Sequence, residues 1–232
     1  MLLDIEGTTT PLAFVHDTLF PFARAHLTAF LREQWDAVDV RATVEALAAE
    51  HAAEASAQDR PPAWSGTRES AEAYALWLMD RDRKSPGLKQ LQGWVWERGY
   101  RAGLLTSDVF PDTPRAIRRW RAAGIDVAIY SSGSVLAQRL LFGNTPDGDL
   151  TPLLTGFFDT AVGAKQSPAS YARIAKELRR VPGQIVFVSD VTAELDAART
   201  AGLHVVLSRR AGNPPQLGAE RFEAIRSFDE LI

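Results

Sequence analysis

The chain of 232 residues has no cysteine. Disulfides, thiol nucleophiles and Cys-ligated zinc are therefore excluded, and the absence fits a cytoplasmic protein. Histidine is scarce: His16, His26, His51 and His204 form no H-E-x-x-H and no other metal-ligand spacing. Lysine occurs only at 84, 89, 165 and 176. A site that needs an ammonium group must draw on one of those four. No apolar run has the length of a membrane span, and the N-terminus lacks a basic segment followed by an apolar one. There is no Walker-type glycine loop, no internal repeat and no low-complexity tail. Lys and Arg number 26 against 29 Asp and Glu, a net charge of −3, with no basic stripe interleaved with aromatics. Neither a nucleic-acid partner nor a membrane is expected.

An ordinary globular composition is present, with 46% apolar and 24% charged residues, enough for a substantial core. The chain changes character twice. Leu2-Leu3-Asp4 reads as the end of a buried strand. From about His16 to about Gly103 the periodicity is helical, carried by Phe22, Leu27, Phe30 and Leu31, then Val44 and Leu47, then Tyr74, Trp77 and Leu78. Two prolines in Arg60–Gly66 favour a turn. From about Asp108 strand and helix patterns alternate. Thr113-Pro114 predicts a helix start with Thr as N-cap. Val127–Tyr130, Ile185–Val188 and Val205–Leu207 predict buried parallel strands, with Tyr171, Ile174, Ala175 and Leu178 on a helix between them. The expected fold is α/β: a Rossmann-like parallel sheet from residues 1–13 and 106–232, with an all-helical cap, 14–105, inserted after the first strand.

The polar residues fall where each apolar run ends. Asp4 and Glu6 follow the first strand, in Asp4-Ile5-Glu6-Gly7-Thr8-Thr9. Taken alone, this is an acidic turn opening a helix. Ser131-Ser132-Gly133-Ser134 follows Tyr130, and Ser189-Asp190, with Glu194 four residues on, follows Val188. If the strands are parallel neighbours, these ends converge on one crevice. Hard oxygen ligands there favour Mg2+. Lys165, in Val162-Gly163-Ala164-Lys165, supplies a positive charge, and Mg2+, an ammonium and a Ser hydroxyl together make a phosphate cradle. With Asp4 as nucleophile, the chemistry is phosphoryl transfer through an aspartyl-phosphate.

Asp4-Ile5-Glu6-Gly7-Thr8-Thr9, Ser131, Lys165 and Asp190, in that order, resemble the four motifs of the haloacid dehalogenase superfamily of phosphatases. Leu3–Pro11, Leu88–Gly93, Tyr130–Val135, Leu140–Gly143, Phe158-Asp159-Thr160 and Ser189-Asp190-Val191 are similar to the enolase-phosphatases of methionine salvage within it. Glu6, where most of the superfamily has Asp, is the distinguishing mark. The resemblance implies a monomeric enzyme acting on a small phosphorylated substrate, 2,3-diketo-5-methylthiopentyl-1-phosphate. It would enolise the diketone and then remove the phosphate to leave an acireductone. It also implies roles. Asp4 is the nucleophile and a metal ligand. Glu6 is the acid/base, with its carbonyl on Mg2+. Ser131, Ser132 and Lys165 bind the phosphate. Asp190 is the second metal carboxylate, and Glu194 holds a metal-bound water. The cap would exclude competing water, and Lys89 or Glu97 on it are places to look for contacts to the diketone. The family pattern Lys-x-Glu-Ser is replaced here by Lys165-Gln166-Ser167-Pro168. A general capped phosphomonoester or phosphonate hydrolase is the alternative.

Overall fold

The computed structural model describes residues 1–54 and 59–231. Its elements run β1 (Leu2–Leu3), α1 (Leu12–Phe14), a π-helical turn (Val15–Leu19), α2 (Phe20–Gln34), α3 (Val38–Ala53), α4 (Arg68–Met79) and α5 (Pro86–Arg101). They continue α6 (Asp112–Ala122), β2 (Ala128–Tyr130), α7 (Val135–Gly143), β3 (Gly156–Phe158), α8 (Pro168–Glu177), β4 (Val186–Ser189), α9 (Thr192–Thr200), β5 (His204–Ser208) and β6 (Ala224–Ile225). The chain divides into two compact units, Met1–Asp17 with Thr106–Ile232, and Thr18–Leu105. No helix among the described residues is long and apolar enough to cross a membrane.

The first unit is built on a six-stranded sheet in the order β3-β2-β1-β4-β5-β6, every pair parallel. β1 has only two residues, yet it is central, hydrogen-bonded to β2 on one side and β4 on the other. Leu2 and Leu3 are fully buried. On one face Leu2, Ala128, Tyr130 and Phe187 form a continuous core with Tyr171 and Ile174 of α8 and Leu195 and Ala198 of α9. Trp120 of α6 is likewise fully buried and meets the Phe228 ring edge-on at 5.4 Å. The helix expected to open at Pro114, with Thr113 as its N-cap, starts two residues earlier at Asp112. Its N-cap is Pro111 without a side-chain bond, because the Thr113 hydroxyl instead donates to the Thr9 carbonyl at 3.1 Å.

In the second unit α5 packs against both α2 and α3. A Cβ at Gly99 would come within 2.5 Å of the Phe22 ring, so the bare α-carbon is what lets α5 approach α2. Trp96 is a core residue, its indole N–H donating to the Leu19 carbonyl at 2.8 Å. His51 bonds the Pro62 carbonyl and His26 that of Phe22, which gives both imidazoles structural partners.

A buried ion pair, Arg210 with Asp112, ties distant segments of the first unit together. The Arg210 guanidinium lies 4.5 Å from the ring centres of both Phe110 and Phe228. Its Nη1 donates to Asp112 Oδ2 at 2.8 Å and to the Arg226 carbonyl at 2.9 Å, and its Nε to the Thr8 carbonyl at 3.1 Å. Removing one partner of such a pair leaves a charge buried and uncompensated, a loss of about 3–5 kcal/mol. Arg210→Met is therefore expected to lower the unfolding free energy obtained from urea titration by about 3–5 kcal/mol, and an unchanged midpoint would show the pair to be dispensable.

Candidate active site

Asp4 follows β1 at the carboxyl edge of the sheet, beside the point where strand order runs outward in both directions. Ligands of open α/β sheets collect at that position. A tight turn keeps Asp4 there. The amides of Thr8, Thr9 and Thr10 all converge on the Ile5 carbonyl, and the Thr9 hydroxyl donates back to the Asp4 carbonyl at 3.0 Å. Gly7 has φ +66°, and a Cβ on it would come within 2.5 Å of Asp190 Oδ2, so glycine is required both for the turn and for the approach of Asp190. The turn is also held from outside. Ser208 and Asn213 donate to the Gly7 carbonyl at 3.1 and 2.8 Å, next to the Arg210 bond to Thr8.

Both carboxylate oxygens of Asp4 are engaged. Oδ1 accepts from the Ile5 amide at 2.8 Å and from Lys165 Nζ at 2.5 Å; Oδ2 accepts from the Ser189 hydroxyl at 3.1 Å. Lys165 also pairs with Glu194 Oε2 at 2.7 Å, which lies 3.0 Å from the same Ser189 hydroxyl, so the two carboxylates compete for its one proton. Asp4, Lys165, Glu194 and Ser189 thus close a ring, all buried. The segment carrying Lys165 is fixed by three hydroxyls on three successive carbonyls: Tyr130 on Gly163 at 2.9 Å, Ser170 on Ala164 at 2.8 Å and Tyr171 on Lys165 at 2.7 Å. The substitution to Ser167-Pro168 leaves α8 starting at Pro168 without a side-chain cap bond.

The electrostatics follow from burying three carboxylates with one ammonium. Burial, and then the charges of Asp4 and Glu194, push the Asp190 carboxyl up to about 7, with Lys165 opposing. Burial and Asp4 likewise push Glu194 up to about 7. Burial works against the Lys165 ammonium, but Asp4 and Glu194 outweigh it and hold its pKa above the ordinary value. The excess negative charge suits a divalent cation. Among the described residues no three acidic or imidazole side chains form a cage on their own. The Asp4 and Asp190 carboxylates are the hard oxygen donors that could hold such a cation.

Ser131 follows β2, next to β1, and is buried; its Oγ accepts from the Gly133 amide at 3.2 Å, a bond that does not use its own proton. Ser132 and Glu6 are half-buried, and the Glu6 backbone pairs with Thr10 across the turn. On the other unit Glu97 pairs with Arg101 at 2.7 Å. The contacts of Glu194 run to Lys165 and Ser189. Sequence reasoning did not single out Ser189, Tyr130, Tyr171, Ser208 or Asn213 as site residues. For Ser189 the signal was available, since a polar residue ends an otherwise apolar strand beside the one that ends in Asp4.

A parallel sheet with an aspartate after its first strand, ringed by a lysine and acids from later strand ends, defines a haloacid dehalogenase-like hydrolase, and the model of that family matches residues 1–202. The chain is 49% identical to enolase-phosphatase E1 of Synechococcus elongatus over its whole length and 96% of that protein. To the enolase-phosphatase E1 of Drosophila melanogaster it is 41% identical, over its whole length and 91% of that protein. It belongs to the enolase-phosphatase E1 family of these hydrolases. Among solved structures, the UTR4 protein of Saccharomyces cerevisiae superposes with a TM-score of 0.80 at 34% identity, covering 99% of this chain and 98% of that one. A dehalogenase at 19% identity and a TM-score of 0.57, covering 99% and 93%, shares the fold.

A carboxyl whose native pKa exceeds its unfolded one binds more protons in the native state between the two values, so its contribution to stability is lost as pH rises from about 4 to about 7. In metal-free protein, Asp190→Asn removes a group whose ionisation the fold disfavours. The variant should melt at a higher temperature than the wild type at pH 8, by a margin that shrinks as pH falls and closes near pH 4. A difference that does not change with pH contradicts the electrostatic reading.

Proposed function

We infer that the protein is a Mg2+-dependent enolase-phosphatase. Its expected substrate is 2,3-diketo-5-methylthiopentyl-1-phosphate, and its products are 1,2-dihydroxy-3-keto-5-methylthiopentene and phosphate. The observation that carries the phosphatase step is Asp4: a buried carboxylate at the sheet's carboxyl edge, oriented through both oxygens and paired with an ammonium. Identity to the enolase-phosphatase E1 relatives along the whole chain supports the substrate.

The chemistry proceeds in three steps. Enolisation moves a proton from carbon to a carbonyl oxygen of the diketone. Asp4 then attacks the phosphorus in line, the bond from phosphorus to the substrate oxygen breaks, and Glu6 gives that oxygen a proton. Finally Glu6, now ionised, takes a proton from water, which attacks the phosphoryl group and releases phosphate and free Asp4. Lys165 answers the phosphate charge that would otherwise repel Asp4, and Ser131 and Ser132 hold the phosphate oxygens. Asp4, Asp190 and the Glu6 carbonyl would hold Mg2+, which supplies charge neutralisation at the transferring phosphoryl group.

Enol formation and phosphate release followed separately, with and without Mg2+, test this reading. Asp4→Asn is expected to lower phosphate release by about a thousandfold or more while enol formation persists. Full phosphate turnover in that variant contradicts the assignment of Asp4. Faster hydrolysis of common phosphomonoesters than of the diketo phosphate points to the general phosphatase instead.

A further inference from the structure

Leu3 of β1 stands level with Val188 of β4, so the next pair in register is Asp4 and Ser189. Neighbouring parallel strands in register point level side chains the same way. The sheet itself therefore delivers the Ser189 hydroxyl to the Asp4 carboxylate, at 3.1 Å from Oδ2. Ser189 is fully buried, and its Oγ is held in turn by the Val191 amide at 3.1 Å. It is the member of the ring around Asp4 that carries no charge.

We propose that Ser189 is a positioning residue for phosphoryl transfer: its hydroxyl keeps the Asp4 carboxylate in its attacking orientation when Lys165 turns to the substrate phosphate. The proposal rests on Asp4 being the nucleophile. Lys165 already serves Asp4 Oδ1 at 2.5 Å and Glu194 at 2.7 Å. An arriving phosphate dianion competes for the same ammonium and weakens the hold on Oδ1. Beside the Mg2+ that Asp4 would hold, the Ile5 amide at Oδ1 and Ser189 at Oδ2 are then the protein donors left, one on each oxygen, and together they resist rotation about the Cβ–Cγ bond. The hydroxyl has one proton for two carboxylate acceptors, Asp4 Oδ2 and Glu194 Oε2 at 3.0 Å. Once Asp4 carries the phosphoryl group its charge is gone, and that proton turns to Glu194. When phosphate leaves, it turns back. Ser189 forms and breaks no covalent bond in this account.

The test compares Ser189→Ala and Ser189→Gly with wild type and Asp4→Asn in the Mg2+-loaded enzyme, measuring kcat and KM for phosphate release together with the melting temperature. Both Ser189 variants remove the hydroxyl but pack differently. Each is expected to lower kcat by about ten- to hundredfold, the scale of a small misplacement of a reacting group. KM should stay within about threefold, since binding uses other groups, and the drop in kcat should not track the change in melting temperature. A kcat within about twofold of wild type in either folded variant, beside an inactive Asp4→Asn, overturns the proposal. So does a rise in KM with kcat unchanged. Phosphate release by Asp4→Asn at the wild-type rate overturns the underlying reading of Asp4 instead.

Discussion

A buried negative charge at the end of a two-residue strand is the constraint on which the rest of the first unit depends. Asp4 sits where β1 ends between β2 and β4, out of reach of bulk water, and a carboxylate there is costly unless paired and hydrogen-bonded. The pairing comes from Lys165, far away in sequence, and the hydrogen bonds from the Ile5 amide and Ser189. Adding Asp190 and Glu194 turns the surroundings acidic beyond what one ammonium balances. That imbalance is unfavourable for the fold on its own, and it is what a divalent cation would offset.

Around this centre the fold holds its loops by their backbones. The turn after Asp4 is gripped at the carbonyls of Gly7 and Thr8 by Ser208, Asn213 and Arg210. The segment before α8 is gripped at Gly163, Ala164 and Lys165 by Tyr130, Ser170 and Tyr171. In both cases side chains satisfy carbonyls that no strand or helix uses, which fixes irregular backbone beside a reactive group. Arg210 extends the first grip into the core through Asp112 and the Phe228 segment, so the position of Asp4 is coupled to the packing of the chain's far end.

The parallel sheet was legible because its strands are continuous apolar runs bounded by helical periodicity. Asp4, Lys165 and Asp190 were legible because each is polar where such a run or its connecting segment ends. What escaped was local or long-range. β6 has two residues, Ala224–Ile225, too few for any pattern. α7 has no periodicity that marks it as a helix in the sequence reading, although Ser134 caps it by accepting from the Ala137 amide at 3.3 Å. Thr113 looked like an N-cap, but its hydroxyl is taken by Thr9, more than a hundred residues away, a preference no local window contains. Ser189 stood in view as a polar strand end, but that its hydroxyl meets Asp4 needed the register of β1 against β4, and the grip of Asn213 on Gly7 needed the fold itself.

The account turns on Asp4 forming a covalent bond to phosphorus, and trapping that bond tests it most directly. Acid quench of the Mg2+-loaded enzyme during turnover, followed by borohydride reduction, converts an aspartyl-phosphate into homoserine. Peptide mass analysis is predicted to find homoserine at position 4, with Asp190 and Glu194 unmodified. Phosphate released in the same turnover without any modification at position 4, or with phosphoserine at Ser131, would contradict it.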